Sequence, residues 1–328
     1  MLPERTLGRN GPRVGAIGYG AMVLEGYYGA TAEAEAIATL RHAVRAGLTL
    51  VDTADAYGNG RNETLIGTAL RDLRREVVIA TKCGIVRGRD GPGTDFPTGW
   101  GFTLRLNGRP DHIRRALDAS LTRLKMDEVD LFYLHYPDPG VPIVESVGAM
   151  ADLVRAGKAH HLGLSNVTPD QLRAAHAVHP IAALQFEYSL WRREAETELL
   201  PLTRTLGIGF VPWSPLGAGF LTGTIDAVGA DDFRRHNPKF AAGNLEANRD
   251  RFAPIAALAG GLGLTPAQLA HAWLLHRGDA VVPIPGTRRA ARIDENARAA
   301  AVALDPATLA RIDELAPAGS ARGGTLVG

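Results

Sequence analysis

Eight short apolar runs alternate with eight amphipathic stretches along 328 residues, and this pattern predicts an α/β fold, a (β/α)8 barrel. Regular alternation argues for a parallel sheet, because each strand reaches its neighbour through a helix. The length exceeds the roughly 250 residues typical of such a barrel. The surplus falls in Cys83–Arg109 and Ser214–Asp250, long segments rich in Gly, Pro and aromatics that each follow the end of an apolar run. An open, doubly wound sheet shares the alternation and is the competing architecture.

Taken in order, Arg5–Ala21 opens with Asn10-Gly11, a hairpin-turn dipeptide between apolar stretches. The expected strands are Gly15–Gly20, Leu48–Thr53, Val77–Thr81, Val129–Leu134, His161–Leu164, Ala182–Gln185, Ile208–Pro212 and Ala280–Ile284. Between them run the expected helices Ala32–Ala46, Arg61–Leu73, Pro110–Lys125, Ile143–Ala156, Thr168–Ala177, Glu194–Leu206, Thr265–Leu275 and Arg288–Ala303. Thr168-Pro169, Thr265-Pro266 and Asp305-Pro306 mark helix starts by a cap followed by a first-turn proline. The chain reads as one barrel domain, 1–328, with a small, polar and loose tail over Pro317–Gly328.

The 36 Lys+Arg and 35 Asp+Glu leave a net charge of +1, which argues against nucleic acid or an anionic membrane as partner. Hydrophobic residues at 45% suit a packed globular protein, and no apolar run reaches the ~18 residues of a membrane helix. Met1–Arg5 has no apolar leader core, and the single cysteine, Cys83, reads as a small buried filler in a reducing compartment. A cytoplasmic protein is expected. His160, His161, His176 and His179 lack recurring ligand spacing, so no metal is expected.

Polar residues stop the apolar runs: Asp52 with Tyr57 shortly after, then Lys82, then His135. In a barrel these ends meet at one mouth and form an acid–base group. A Tyr hydroxyl, with an ordinary pKa near 10, is a poor acid at neutral pH. A Lys ammonium about 4 Å away would favour the phenolate by up to roughly 4 kcal/mol at an effective dielectric near 20. Asp52 would keep Lys82 charged, and His135 would orient a carbonyl oxygen. Only Lys82, Lys125, Lys158 and Lys239 are lysines, so a lysine at a strand end in this Arg-rich chain is consistent with a need for a compact ammonium.

The stretches Gly18–Met22, Val51–Gly58, Asn62-Glu63, Thr81-Lys82, Asp130–His135 and Gly163–Asn166 resemble the aldo-keto reductase superfamily. So do Gln185–Tyr188, Ser214–Leu216, Pro283–Arg288 and Glu295-Asn296, and the likeness runs over nearly the whole chain. The Tyr27-Tyr28-Gly29 loop and Gly217–Gly223 are most similar to the pyridoxal-reductase-like branch. Two positions depart from it: Ala218 stands where relatives often carry Arg, and Asn166 where some carry Glu.

The resemblance implies a TIM-type barrel capped at its base by the N-terminal hairpin, and a catalytic tetrad of Asp52, Tyr57, Lys82 and His135. Tyr57 would be the general acid, with its pKa lowered by Lys82. The implied cofactor is NADPH/NADP+, although no GxGxxG occurs. Ser165, Asn166 and Gln185 would hold its carboxamide and Trp213 would stack on the ring. Backbone from Ser214 through Pro215, Leu216, Gly217 and Gly219 to Leu221 would run beside the pyrophosphate, which would account for the glycines. Thr287 and Arg288, with Arg292 nearby, would meet the 2′-phosphate, Glu295 and Asn296 the adenine, and Gly286 would also contact the cofactor. A small-molecule carbonyl substrate would meet Met22, Tyr27, Tyr28, Trp100, Tyr136 and the Cys83–Arg109 loop, with the enzyme a monomer or homo-oligomer. Two other classes stay open: a lyase forming a Schiff base on Lys82, and a cofactor-binding redox-sensing subunit with little turnover.

Overall fold

A computed structural model of the chain describes residues 2–87 and 91–327. It forms the barrel rather than the open sheet. A hairpin of β1 (Glu4–Thr6) and β2 (Arg13–Gly15) precedes it, with Asn10-Gly11 in the connection. Seven parallel strands then pair in chain order: β3 (Tyr19–Gly20), β4 (Leu50–Asp52), β5 (Val78–Cys83), β9 (Val129–Leu134), β10 (Ala159–Ser165), β11 (Ile181–Glu187) and β12 (Gly209–Trp213). The numbers between belong to a separate antiparallel sheet of β6 (Ile85–Val86), β7 (Thr94–Pro97) and β8 (Thr103–Leu106). The expected first strand therefore splits, Arg13–Gly15 serving the hairpin and Tyr19–Gly20 the barrel.

The eighth strand, expected at Ala280–Ile284, closes the ring with half a ladder. Toward β12, Phe210 N–H donates to Ala280 O, while Val282 and Ile284 donate to Phe210 O and Pro212 O. Toward β3, Gly18 and Gly20 donate to Pro283 O and Pro285 O. The return bonds need N–H groups at 283 and 285, which proline lacks.

The hairpin plugs the amino end of the barrel. Leu7 and Val14 are buried in one cluster with Leu50, Leu131, Val211 and Val282 of the barrel interior. Arg5 adds hydrogen bonds to the carbonyls of Leu275, Gly278 and Val281. Gly8, at φ +69°, passes so close to β12 that a Cβ would lie 2.5 Å from Gly207 O.

Around the barrel lie α1 (Glu33–Arg45), α2 (Arg61–Ala69), α3 (Pro110–Leu124), α4 (Ile143–Arg155), α5 (Pro169–Val178), α6 (Leu199–Leu206), α7 (Asn244–Gly261), α8 (Pro266–Leu275), α9 (Ala290–Arg298) and α10 (Pro306–Leu315). Thr168 and Thr265 accept from the N–H groups of Gln171 and Gln268 in capping boxes, and Asp305 accepts from Thr308 N–H. Three expected helices are shorter than their pattern: 3-10 turns follow α2 at Arg71–Glu76 and α9 at Ala299–Ala301, and another precedes α6 at Glu194–Glu196.

Two elements were not expected. The β6–β8 sheet occupies the Cys83–Arg109 segment, of which residues 88–90 lie outside the described residues. Helix α7 starts inside Ser214–Asp250, where an internal Pro254 and a Gly260-Gly261 end conceal its pattern. The segment expected to be a loose tail is bound as far as Val327. Asn248 exchanges hydrogen bonds with the Arg322 backbone, Lys239 Nζ donates to Gly323 O and Gly324 O, and Arg192 donates to Val327 O. Residue 328 lies outside the described residues.

Inside the barrel, Gly163 on β10 makes room for the fully buried Tyr133 of β9, whose ring lies 2.3 Å from where a Gly163 Cβ would stand. Overpacking of this kind costs about 1–3 kcal/mol. Gly163→Ala is expected to lose about that much stability in urea unfolding, with the slope of the transition unchanged.

Candidate active site

Each residue of the expected tetrad leaves the barrel at a carboxyl end. Asp52 ends β4, Lys82 is the penultimate residue of β5, and His135 follows β9. Tyr57 sits on a tight turn after β4 that continues through Gly58 and Asn59, both near φ +57°, and Gly60 at φ +85°. A Cβ on Gly58 would stand 1.9 Å from Glu25 Oε2, so a larger residue there would have to displace the Glu25 carboxylate as well as adopt a positive φ.

The four side chains meet. Lys82 Nζ donates to Asp52 Oδ1 at 2.5 Å, to Thr53 O at 2.8 Å and to Tyr57 Oη at 3.2 Å, which uses all three ammonium protons. Gln185 Nε2 holds the other Asp52 oxygen at 2.7 Å. The His135 ring stands edge-on to Tyr57 with centroids 5.8 Å apart, and its Nδ1 is buried without a partner among the described residues. Asn62 and Glu63 brace the layer behind. Asn62 accepts from Thr53 Oγ1 and donates to Ala21 O, while Glu63 bridges Thr81 Oγ1 and Arg123.

A cavity of about 810 Å³ opens over Asp52, Tyr57 and His135, whereas Lys82 lies behind them, fully buried. Ser165, Asn166, Gln185 and Trp213 line it beside the tetrad. Ser214, Pro215, Leu216 and Gly219 continue one wall, and Gly286, Thr287, Arg288, Arg292, Glu295 and Asn296 line the far end. Met22, Tyr27, Tyr28, Trp100 and Tyr136 all stand on the wall. Gly217 and Leu221 do not. Gly217 instead has φ +57° and no room for a Cβ, which would sit 2.5 Å from the Trp191 ring. The N–H groups of 217–221 close turns within their own loop, and the packing on Trp191 by itself calls for glycine at 217. Wall residues that the sequence did not single out include Arg87, Phe102, Phe233, Arg234 and Leu326.

A family model described as "Aldo/keto reductase family" matches residues 16–317. The chain belongs to the aldo/keto reductase family. It is 43% identical over 322 residues to probable aldo-keto reductase 1 of Glycine max, covering 97% of this chain and 90% of that one. Among solved structures, a glycerol dehydrogenase from Gluconobacter oxydans superposes with a TM-score of 0.83 at 26% identity, over 95% of this chain and 94% of that one. The holo form of an aldo-keto reductase from Bacillus halodurans shares the fold, with a TM-score of 0.78 at 24% identity over 97% and 98% of the two chains.

Membership implies an oxidoreductase that uses a nicotinamide cofactor on small-molecule carbonyl compounds. The residues of this reductase fit such a group. The Trp213 indole is fixed on the wall by its Nε1 bond to Asn166 Oδ1, at 3.3 Å, and Asn166 is itself fixed through His135 O. Asn166 holds φ +57°, a backbone conformation that Asn tolerates better than most residues. The cavity runs unbroken from the tetrad to Asn296, and its volume lies in the upper part of the roughly 300–1,000 Å³ of small-molecule sites.

Electrostatically the site departs from expectation at Tyr57. Burial first, and the negative charge of Asp52 second, push its hydroxyl well above 10 instead of below. The physical reason is that the Lys82 charge is matched at 2.5 Å by Asp52, which leaves little net field at Oη to oppose burial. Burial also pushes Asp52 up and Lys82 down, and their contact opposes both shifts. His135 is driven well below 6.5 by burial and by Lys82, so its ring is neutral. Burial, with Glu63 nearby, pushes Asp55 up to about 8, so this neighbour adds no full charge at neutral pH.

Removing one partner of a buried ion pair costs about 3–5 kcal/mol. Lys82→Met should lose roughly that near pH 8. Alone in the core, Asp52 has a folded pKa far above the ~3.9 of the unfolded chain. It therefore destabilises the fold more as pH rises, and the deficit should shrink toward pH 4. Unfolding midpoints across this range test the sign, and Lys82→Met with Asp52→Asn should recover most of the loss.

Proposed function

We propose that this aldo/keto reductase reduces aldehydes or ketones to alcohols with NADPH, Tyr57 giving the proton to the carbonyl oxygen. The observation that carries the reading is the Lys82 ammonium joining Asp52 to Tyr57 Oη at the floor of the cavity, beside a neutral His135. Bound at the cavity wall near Trp213, the cofactor would supply the hydride to the carbonyl carbon. His135 offers an N–H that orients the oxygen without adding charge. As negative charge grows on that oxygen, Tyr57 releases its proton to it, and the phenolate left behind accepts from Lys82 Nζ. Burial keeps the resting hydroxyl protonated, while Lys82 acts on the charge that appears in the transition state. Lys82 has no exposure and no unused proton, which counts against a Schiff-base nucleophile.

The charges at the far end support a preference for NADPH. Arg292 is tied to Glu295, whereas Arg288 has no carboxylate partner among the described residues. Arg288 donates to Ala30 O at 2.6 Å and Tyr28 O at 2.9 Å, leaving further N–H groups for a 2′-phosphate.

Oxidation of NADPH monitored over a panel of aldehydes tests the activity, with Tyr57→Phe expected to lose about 10²- to 10⁴-fold in turnover while still binding NADPH. The raised Tyr57 pKa sets the pH dependence. The protonated acid persists as pH rises, so carbonyl reduction should hold beyond pH 9. Alcohol oxidation needs the phenolate and should climb through pH 10. A reduction rate that falls with a pKa near 7 would contradict this.

A charge-assisted hydrogen bond contributes about 1.5–3 kcal/mol, or ten- to a hundredfold in affinity. Arg288→Ala should therefore weaken NADPH by at least about tenfold more than NADH in fluorescence titrations, and equal losses would remove the phosphate assignment.

A further inference from the structure

Among the described residues of the cavity wall, Arg87, Arg105 and Arg234 carry guanidinium groups outside the 288–292 segment, and two of these already have an acidic partner. Arg105 is bound to Asp95 at 2.9 Å and Arg234 to Asp232. Arg87 has no carboxylate within ion-pair distance among the described residues. It follows directly on β6, whose Val86 lies opposite Arg105 of β8, so a paired strand holds its backbone. Its Nη2 donates to Ala56 O at 3.1 Å, one residue before Tyr57, and its charge is felt at the Tyr27 hydroxyl. That bond uses one of its five N–H donors and places the exposed planar group at the cavity rim near the turn that carries Tyr57.

The rest of that end is apolar and aromatic, with Met22, Trp100, Phe102, Tyr136 and Phe233 on the wall. Lys82 is matched by Asp52, and His135 is neutral. Among the described residues, the unmatched charge of the substrate end is therefore Arg87. A ligand complementary to this surface has an apolar or aromatic body, a carbonyl reaching Tyr57, and an anionic group at the rim.

We propose that Arg87 selects carbonyl substrates bearing a carboxylate or a similar anionic group on an aromatic or apolar body. The inference rests on the carbonyl-reductase reading above and names the substrate class of the same cavity. Because the rim is open to solvent, the gain is moderate, about tenfold in specificity.

The test compares 4-carboxybenzaldehyde with its neutral methyl ester, at saturating NADPH, in the wild type, Arg87→Met and Arg87→Lys. The wild type should favour the acid, and Arg87→Met should lower the acid-to-ester ratio of kcat/KM about tenfold, through KM rather than kcat. Arg87→Lys should recover part of it, since it keeps the charge but loses the planar fork. Tryptophan-fluorescence titration of the NADP+-loaded proteins with 4-(hydroxymethyl)benzoate should show the same dependence without turnover. A ratio unchanged within twofold in Arg87→Met, or a titration indifferent to Arg87, overturns the proposal. If the wild type reduces neither aldehyde yet the titration depends on Arg87, the reductase reading fails and the anion site stands. If both aldehydes are reduced without dependence on Arg87, the reverse holds.

Discussion

One buried ammonium joins the fold of this reductase to its chemistry. Lys82 is inaccessible to water, and an uncompensated charge there would cost several kcal/mol. Its three partners come from the end of β4, the backbone just beyond it and the turn that follows. They converge only if β4 and β5 keep the register that sets Asp52 beside Ala80, because a slip of one residue would point Lys82 out of the barrel. The ion pair therefore ties strand register to the position of the Tyr57 hydroxyl, and the barrel must close correctly for the Lys82–Tyr57 contact to form.

Support for this arrangement crosses the barrel. Gln185 reaches Asp52 from β11, and Tyr133 fills the interior between them because Gly163 carries no side chain. On the outer side, Glu63 is a fully buried carboxylate held by Thr81 and Arg123, and Asn62 couples Thr53 to the β3 end. A tetrad placed on separate strands cannot shift one member without disturbing hydrogen bonds on both faces of the sheet. Such over-determination permits catalytic groups to be held off their relaxed protonation equilibria.

The strand ends were legible because the feature that defines them is local: an apolar run that stops at Asp52, Lys82 or His135. The hairpin was legible from Asn10-Gly11 for the same reason. What escaped the sequence depends on distant partners. The Arg322–Val327 stretch has an ordinary flexible composition, but it is held largely through backbone atoms, which every residue has, by Lys239, Asn248 and Arg192. Ala280–Ile284 has the pattern of a strand, yet Pro283 within it and Pro285 just beyond it decide how many bonds it can return. Gly217 packs so closely on Trp191 that a Cβ would not fit, a constraint that depends on a residue distant in sequence. The direction of the Tyr57 shift escaped for a related reason. Pairwise attraction to Lys82 is visible in sequence, but the cancelling charge at 2.5 Å and the depth of burial are properties of the folded site.

Charge matching along the cavity gives the wall a polarity that single residues do not reveal. Asp52 neutralises Lys82, Asp95 holds Arg105, Asp232 holds Arg234 and Glu295 holds Arg292. Among the described wall residues, Arg87 at the substrate rim and Arg288 and Arg289 at the far end have no carboxylate within ion-pair distance. Positive charge therefore marks both ends of a groove whose middle, where Tyr57 and His135 stand, is close to neutral. In such a middle, hydrogen-bond donors act on charge that develops during reaction rather than on charge already present, since an anionic group is drawn toward the ends. Under the reading proposed above, the arginines at the two ends would hold the anionic groups of separate cofactor and substrate, and the reacting oxygen would be left to the phenol beside the buried lysine.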